Sequence, residues 1–508
     1  GLGMSEDDVK NYIANVAFSG AEEFAKQYQK DDNEDSKIIG HFGLGFYSAF
    51  MVSERVDIKT KSYIDNEKAV FWTCDGSTEY EIGEGDKASR GTEIILHIAD
   101  DSKEFLDFAT LSSTIEKYCG FFPVEIYVSE KGKDAEKAIN DTNPLWLKKP
   151  SECTDEEYKA FYKKVFMDFN DPLFYIHLNV EYPFNLKGIL YFPKLSHEFQ
   201  ASEGQIKLFN NQVFVADNVK EIIPEFLLLL KGVVDCPDMP LNVSRSFLQN
   251  DGYAAKVSAH ITKKVADKLS GMCKTDKENY EKYWDDLSPF IKFGCLKDDK
   301  FCEKMKDYML FKNLEGKYLT LEDYVKATKE AAGETEDTPI VENADGTSAT
   351  GETSDGEDAE EKKQVVYYVT DERQQSQYIN MFKEAGLDAI FLTHNIDQPY
   401  ISKLEFDNTE IRFQRIDADL TETFKEEVTE DADDWKKMVD TVTDMVKKAL
   451  NKEKLTVKVE KLKNEKVASM ITLSEDSRRM QDMMKMYNMY GMDPSMFGGE
   501  GETLVLNA

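Results

Sequence analysis

Hydrophobic positions recur in short runs that predict strands in two regions of the chain. Near its beginning, residues 56–60, 69–72 and 93–98 are rich in β-branched and aromatic side chains. Residues 174–180 and 187–192 carry the same signal further along. Such runs are typical of strands, because branched and aromatic side chains pack well on a pleated surface. The pattern therefore predicts sheet strands in both regions.

Other stretches have the spacing of helices. Residues 4–24 alternate polar and apolar positions with a helical period, and residues 254–269 and 435–450 also predict helices. The apolar run 226–230 is too short for the roughly 20 residues that span a bilayer, so it predicts a buried helix. Helices and strands thus occur throughout, which predicts an α+β protein of several domains.

Length and composition support folded domains and exclude some partners. With 508 residues the chain exceeds a single core, and the usual length prior gives about three or four domains. Hydrophobic residues make up 41% of the chain and aromatic residues 12%, as in folded proteins. The net charge of −34 repels nucleic acid and anionic membranes, so we expect neither as a partner.

Cysteine and histidine positions give no sign of a disulfide framework or a metal site. The seven cysteines are scattered and odd in number, with no C-x-x-C pair, and the six histidines never pair at metal-ligand spacing. No signal peptide is evident. These features favour a reducing compartment, so we expect a cytoplasmic protein.

One acidic segment interrupts the chain. Residues 330–361 hold twelve acidic residues and no Lys or Arg, with many Gly, Thr and Ser. Such a composition buries too little apolar surface to offset chain entropy. We expect a disordered insert that acts as a solvated spacer within a smaller α/β unit at residues 285–402.

A glycine-rich stretch is the clearest chemical signal. Gly40, Gly43 and Gly45 lie within six residues and are followed by an apolar, helix-compatible run to Phe50. Glycine allows close approach to a phosphate, and the N–H groups at a helix start attract anions. The G-x-x-G-x-G spacing differs from the dinucleotide and Walker motifs. Taken alone, it is also compatible with a turn that packs a helix tightly.

Three further motifs accompany it in order. The chain starts Gly-Leu-Gly-Met, residues 90–94 are Arg-Gly-Thr-Glu-Ile, and residues 240–245 are Pro-Leu-Asn-Val-Ser-Arg. With the stretch 39–50, these motifs resemble, in order and spacing, the nucleotide-site and catalytic-loop motifs of the 90-kDa heat-shock chaperone family, here of its bacterial HtpG type. The resemblance runs nearly from end to end.

The resemblance implies a domain organisation. It predicts a partial GHKL-type α/β sandwich that binds ATP at residues 1–130, a linker at 131–142, an α/β middle domain at 143–402 and a partial, mixed α/β dimerisation domain at 403–508. The chain begins inside a motif, so we expect a fragment that lacks the start of the ATP domain and the last helices of the dimer interface. The parent is expected to be a homodimer and the fragment a monomer.

The resemblance also implies residue roles in the binding of ATP. Gly40, Gly43 and Gly45 would let the backbone wrap the phosphates, and Gly3 would permit close approach near the adenine. Met4 and Phe46 would supply apolar contacts, and Thr92 would place a hydroxyl near the adenine. Standing alone, Met4 and Phe46 would be better explained by core packing, and Thr92 by a strand residue with a satisfied hydroxyl. The complete predicted set is Gly3, Met4, Phe18, Gly40, His41, Phe42, Gly43, Leu44, Gly45, Phe46, Thr92 and Arg245.

Arg245 is the predicted catalytic residue, since an arginine from another domain stabilises charge on a transferring phosphoryl group. The resemblance adds Asn242 and Gln249 as supporting polar groups. An isolated arginine would instead be read as a surface residue paired with an acid. The family's general base and Mg²⁺ ligand precede Gly1, so we expect the parent to be a slow ATPase and this fragment to be inactive.

Two positions depart from the family pattern. Phe18 stands where a lysine is usual, and Tyr12 stands where an asparagine is usual. Loss of the lysine removes a positive charge near the phosphates, so we expect weaker or different contacts to the nucleotide.

A methionine-rich segment lies near the end of the chain. Eight of the eighteen methionines fall within residues 470–496. Methionine is flexible and polarizable, and therefore suits surfaces that bind many apolar partners, although a core helix is the ordinary interpretation. The resemblance favours binding of unfolded or partly folded client proteins, by Met480, Met483, Met484 and Met486.

The leading function is that of an ATP-dependent chaperone that remodels non-native clients through lid closure and domain docking. Another ATPase of the same fold, such as a type II topoisomerase, a mismatch-repair ATPase or a histidine kinase, is a second class. The charge of −34 disfavours work on DNA, and none of the six histidines lies in an evident phosphoacceptor helix. A non-enzymatic, acidic client-holding protein is the third class.

Overall fold

A computed structural model describes residues 1–15, 43–133, 137–194, 205–220, 222–239, 251–331, 363–418, 424, 432–450, 456–462, 467–473, 479 and 502–507. Helices and five sheets occur within these ranges, so the fold is α+β as predicted. The described residues divide into two compact units. Unit 1 contains the described residues up to Ile261, except residues 225–227. Unit 2 contains residues 225–227 and the described residues from Thr262 onward.

The first sheet of unit 1 is antiparallel and has the spatial order β3-β2-β1-β4. Its strands are β1 (Ser53–Lys61), β2 (Val70–Cys74), β3 (Tyr80–Glu84) and β4 (Gly91–Ile98). Because successive side chains of a strand point to opposite faces, Val56, Ile58 and Thr60 share the buried face of β1. Val56 and Ile58 form a core cluster with Val9, Val70 and Trp72.

The second sheet of unit 1 has the order β5-β6-β9-β7-β8. Its strands are β5 (Phe174–Val180), β6 (Leu186–Phe192), β7 (Ile206–Asn210), β8 (Val213–Asp217) and β9 (Lys231–Asp235). Only β7 and β9 pair in parallel. Asn211 and Gln212 connect β7 to β8 with φ of 50° and 64°, the left-handed backbone that a two-residue hairpin turn requires. Trp146 lies in the core against this sheet.

Helices of unit 1 begin at residues with capping side chains. Ser5 and Asp8 form a capping box at the first helix, and Thr154 and Glu157 form another at the third. Asp107 caps the second helix through the Thr110 N–H. These helices are α1 (Glu6–Tyr12), α2 (Phe108–Cys119) and α3 (Asp155–Phe166), and α4 (Asp251–Thr275) begins in unit 1.

Unit 2 contains two three-stranded sheets and a short hairpin among its described residues. One sheet is parallel, with order β13-β12-β14, and the other has order β15-β17-β16. Its elements are α5 (Lys277–Lys282), α6 (Trp284–Lys297), α7 (Asp299–Met305), β10 (Phe311–Lys312), β11 (Tyr318–Leu319), α8 (Leu321–Ala331), β12 (Gln364–Val369), α9 (Ser376–Glu384), β13 (Ile390–Phe391), α10 (Asp397–Asp407), β14 (Ile411–Arg415), α11 (Ala432–Leu450), β15 (Thr456–Glu460), β16 (Ser469–Leu473) and β17 (Glu502–Asn507).

The strands predicted from branched and aromatic runs are confirmed as β1, β2, β4, β5 and β6. The helices predicted at 254–269 and 435–450 are confirmed within α4 and α11, and the run 226–230 forms a 3₁₀ helix, Glu225–Leu229. Strand β3 escaped prediction, because most of its residues are exposed and the hydrophobic pattern is weak. Strand β14 lies beyond residue 402 and pairs with β12, which lies before it. The predicted domain boundary between residues 402 and 403 stays a prediction.

Part of the predicted organisation lies outside the described residues. This applies to most of the acidic segment, from 332 onward, and to 16–24 of the first predicted helix. Among the helices that are described, none is both long and apolar enough to cross a membrane.

A buried ion pair joins two helices of unit 2. Lys292 on α6 bonds to the Asp397 carboxylate at the start of α10, and both residues are at least 97% buried, with exposed fractions of 3% and 1%. The second Asp397 oxygen accepts the His394 N–H at 2.9 Å. The Lys292 ammonium also lies over the rings of Phe311 and Tyr400. Each charge is therefore compensated only as long as its partner remains.

Replacement of Asp397 by Ala is expected to destabilise this region by about 3–5 kcal/mol, because the Lys292 charge stays buried without a carboxylate. The double variant Lys292→Met/Asp397→Leu removes both charges and should recover most of that loss. Hydrogen exchange of the α6 and α10 amides measures the effect locally. Glu315→Ala, which breaks the exposed Lys317–Glu315 pair, is the control and should leave exchange unchanged. Equal losses in the single and double variants would contradict the argument.

Candidate functional site

The first residues of the chain lie against the end of β1. Gly3 has φ of +70°, and a Cβ at this position would lie 1.7 Å from the Lys61 carbonyl oxygen. No other residue type fits there without moving the backbone. The Met4 N–H donates to the Thr60 hydroxyl oxygen at 2.9 Å. Glycine at position 3 thus allows the start of the chain to bond to the sheet.

Thr60 connects this segment to β4. Its hydroxyl lies 3.3 Å from the Gly91 carbonyl and 2.8 Å from the Thr92 hydroxyl, and the residue is fully buried. A hydroxyl has one proton and two lone pairs. When Thr60 donates to Gly91, it accepts from both Met4 and Thr92, and every partner is satisfied. In this arrangement the Thr92 hydroxyl donates its proton to Thr60. Its oxygen lone pairs can still accept hydrogen bonds, and Thr92 is exposed.

The described part of the glycine-rich stretch, from Gly43 to Phe50, packs against the core cluster around Val56 and Ile58. Phe46 lies in a 3₁₀ helix, Gly45–Met51, and its ring packs edge-on against Trp72 with centroids 5.9 Å apart. Met4 and Phe46 are both half-buried against the cluster around Val56 and Ile58. The apolar faces of two distant sequence motifs therefore cover one hydrophobic surface.

The Tyr47 hydroxyl fastens the segment to the residues after α1, because it donates to the Ile13 carbonyl at 2.6 Å. Gly43 has φ of +66°, which favours glycine, and Leu44 precedes the 3₁₀ helix as its cap. A Cβ on Gly45 would meet no described atom within 4 Å. Among the described residues, therefore, none requires a glycine at position 45.

A charged network covers the opposite face of the sheet. Asp57 accepts from Thr73 at 2.6 Å, lies 2.7 Å from the His97 ring and pairs with Arg55 at 3.2 Å. Burial raises the pKa of the Asp57 carboxyl, but the hydrogen bonds from Thr73 and His97 outweigh it and hold the pKa below its usual value. The polar face is thus separated by the sheet from the apolar face that Met4 and Phe46 cover.

Residues at both ends of the predicted catalytic loop are held in unit 1. The Asn210 side-chain amide donates to the Cys236 and Pro237 carbonyls at 3.0 and 3.1 Å, shortly before the predicted loop motif at 240–245. After it, the Tyr253 hydroxyl lies 3.1 Å from the Cys236 sulfur. Burial raises the pKa of Cys236 to about 11, so this thiol stays neutral at pH 7. The described residues before and after positions 240–250 are therefore in contact with each other.

The structure thus brings some predicted site residues together and is silent on others. Gly3, Met4 and Thr92 meet around Thr60, and Phe46 shares their core cluster. Outside the described residues lie Phe18, Gly40, His41, Phe42, Asn242, Arg245, Gln249, Met480, Met483, Met484 and Met486. Within the ranges that the structure covers, no group of three or more His, Cys, Asp or Glu side chains is arranged to hold a metal ion.

Sequence reasoning missed Thr60. The signal was present, because alternation along β1 puts Thr60 on the same face as Val56 and Ile58. A polar residue on a buried face needs hydrogen-bond partners, and this requirement marks it for attention. The identity of those partners depends on the pairing of β1 with β4, where Thr60 lies opposite Thr92.

Replacement of Thr60 by Val is expected to cost about 1–3 kcal/mol, because the Met4 N–H and the Gly91 carbonyl lose a buried partner. Hydrogen exchange should accelerate in residues 1–15 and in β4. Thr92→Val is the matched control and should cost less, since Thr92 is exposed and water can replace its hydroxyl. The proposed network is wrong if the two variants have the same effect.

Comparison with known proteins places the chain in a family. The family model for "Hsp90 protein" matches residues 123–334 and 356–507, and the gap falls inside the acidic segment. "Chaperone protein HtpG" of Bacteroides thetaiotaomicron is 40% identical over all of this chain and 72% of its own length. The protein of that name from Porphyromonas gingivalis gives the same figures. The protein of that name from Idiomarina loihiensis is 32% identical over 84% of this chain and 67% of its own length. The chain therefore belongs to the Hsp90 family, and within it to the bacterial HtpG type.

Proposed function

We propose that this chain serves in an ATP-dependent molecular chaperone of the bacterial cytoplasm, which binds and remodels non-native client proteins. The observation that carries the proposal is the 40% identity, over the whole chain, to relatives named chaperone protein HtpG. Lid closure and domain docking, driven by the nucleotide, would couple ATP binding and hydrolysis to the remodelling of the client. Homodimers are the proposed working form of the complete protein.

The nucleotide is proposed to bind beside the Thr60 network. Thr92 keeps free lone pairs that can accept an N–H such as the adenine amino group. Met4 and Phe46 offer apolar surface on the same side of the sheet. Gly45 has no side chain, which suits the approach of a phosphate to the backbone. For Gly40, His41, Phe42, Gly43 and Leu44, the proposed contact rests on the resemblance to the family motif alone. For Phe18 it rests on the position in the sequence, where the family usually has a lysine.

Arg245 is the proposed catalytic residue for slow ATP hydrolysis. A guanidinium fits phosphate oxygens with two parallel hydrogen bonds and stabilises the charge that develops during transfer. Asn242 and Gln249 are proposed to orient it. The ties at Asn210 and at Cys236–Tyr253 support this role, because they restrict both ends of the loop that carries Arg245. Mg²⁺ would neutralise phosphate charge when bound.

Client binding is proposed for the methionine-rich segment. Flexible, polarizable side chains adapt to varied apolar surfaces, as unfolded proteins present them. The proposed contacts are Met480, Met483, Met484 and Met486.

ATP turnover should fall about 100-fold or more in Arg245→Ala, with nucleotide affinity retained, because the lost contact forms mainly in the transition state. The measurement is kcat in the full-length protein that contains this sequence, beside a nucleotide-binding titration. Arg412→Ala is the control, since Arg412 is an exposed arginine on β14. Unchanged turnover in Arg245→Ala would refute the catalytic role and leave a client-holding protein without ATPase chemistry as the explanation.

The unaltered chain is expected to suppress the aggregation of a chemically unfolded test protein. In the double variant Met480→Ser/Met483→Ser this suppression should be several-fold weaker, because serine removes apolar contact area. Light scattering without ATP measures this. The matched control is Met438→Ser/Met445→Ser, which replaces two exposed methionines of α11. If both doubles behave alike, the loss is general and the assignment of the client segment fails.

A further inference from the structure

A cleft of about 510 Å³ lies in unit 2, and we call it the α6 cleft. Its lining comes mainly from α6, α9 and the β10–β11 hairpin. All of the described residues that line it belong to unit 2, whereas the candidate nucleotide site lies in unit 1. Small-molecule sites typically measure roughly 300–1,000 Å³. The α6 cleft therefore has the size to bind a ligand of its own.

The ends of two parallel strands also contribute to the α6 cleft. Strands β12 and β13 are neighbours in one sheet, with Val369 opposite Phe391. Glu372 follows β12 and Thr393 follows β13, and both residues line the cleft. Open α/β sheets bind ligands in the crevice outside the carboxyl ends of their parallel strands. The α6 cleft thus lies at the end of the sheet where a ligand is expected.

Two buried polar residues of α6 belong to the lining. Ser288 and Lys292 lie one helical turn apart and are only 2% and 3% exposed. The Lys292 ammonium has three protons, and the Asp397 carboxylate both accepts one of them and balances the charge. The Ser288 hydroxyl adds another donor. This part of the cleft is therefore suited to donate hydrogen bonds to a neutral oxygen, such as a carbonyl.

Charges of both signs surround the mouth of the α6 cleft. Lys312 and Lys383 are exposed cations, and Asp285 and Glu372 are exposed anions. None of these four side chains forms an ion pair with any residue that the structure describes. Because they have no partner of opposite charge there, all four are available to a charged ligand.

The other charges of the lining are already balanced. Glu315 pairs with Lys317 at 2.8 Å, and Lys292 pairs with Asp397. Two positive and two negative groups therefore remain, although the whole chain carries a charge of −34. A ligand with one charge would meet as many repelling as attracting groups. A ligand with both charges can pair with groups of each sign, which gives electrostatic complementarity.

Apolar side chains complete the lining. Trp284 on α6, Ile379 on α9 and Phe391 on β13 all border the α6 cleft. Ligand sites commonly combine such surfaces with a few polar groups that fix the orientation of the ligand. An apolar side chain of a ligand would lose contact with water against these residues, which favours binding.

We propose that the α6 cleft binds a small zwitterion with an ammonium group, a carboxylate and an apolar side chain. The carboxylate pairs with Lys312 or Lys383, and the ammonium group pairs with Asp285 or Glu372. The apolar side chain packs against Trp284. Free amino acids and short peptides share this chemistry, and a peptide also has a carbonyl for the buried donors of α6. The proposal needs no residue of the candidate nucleotide site.

The first test is calorimetric titration of the 508-residue chain at pH 7 and low salt with four matched probes. Leucine and leucyl-leucine are zwitterions, N-acetyl-leucine is an anion and leucinamide is a cation. Both zwitterions should bind at least about tenfold more tightly than the probes with a single charge. Tighter binding of leucyl-leucine than of leucine identifies a peptide as the ligand, and the reverse order identifies a free amino acid.

Two results of this titration would overturn the proposal. One is the absence of binding by both leucine and leucyl-leucine. The other is binding of N-acetyl-leucine or leucinamide as tight as that of the zwitterions, because a single charge would then be sufficient.

Variants of the lining locate the binding. Lys312→Gln/Lys383→Gln should weaken the binding of the zwitterion about tenfold or more, because the carboxylate loses its partners. The matched control is Lys326→Gln/Lys329→Gln, which replaces two exposed lysines of α8 and should leave the affinity unchanged.

The complementary variant is Asp285→Asn/Glu372→Gln. It should weaken the binding of the zwitterion but tighten that of N-acetyl-leucine, because the carboxylates that repel an anion are gone. Thermal unfolding checks that each variant folds, which is expected because all of the replaced side chains are exposed. Unchanged affinity for the zwitterion in either variant of the lining would place the binding elsewhere and contradict the proposal.

Discussion

Burial of one face of β1 is the constraint on which the rest of the candidate nucleotide site depends. Val56 and Ile58 remove that face from water, and the segments that cover it come from the start of the chain and from the residues after Gly43. Thr60 lies on the same face and cannot remain unpaired there. Its hydrogen bonds therefore determine the positions of Met4 and Thr92. The burial of apolar side chains and the pairing of the buried hydroxyl thus depend on the same strand.

The same balance of burial and compensation recurs in unit 2. Lys292 and Asp397 are charged, deeply buried and stable only as a pair, which joins α6 to α10.

Side-chain contacts hold the described residues on either side of residues 240–250. Asn210 follows β7 and bonds to the residues after β9, while Tyr253 on α4 reaches back to Cys236. These contacts lie next to residues 240–250, and they depend on the parallel pairing of β7 with β9. The sheet that packs against Trp146 thus also holds Cys236 and Pro237 in place.

Local pattern was enough to locate most elements, because the spacing of apolar residues reports directly on strand and helix geometry: β1, β5, α4 and α11 follow from it. The order and spacing of the motifs were enough to identify the family. The partners of buried polar groups were not accessible in this way, since they depend on strand register and helix packing between distant residues. Thr60 needed β4 opposite it, and Lys292 needed α10, 105 residues further along the chain. Sequence alone records which residues must be buried, but only the assembled fold determines which residues satisfy them.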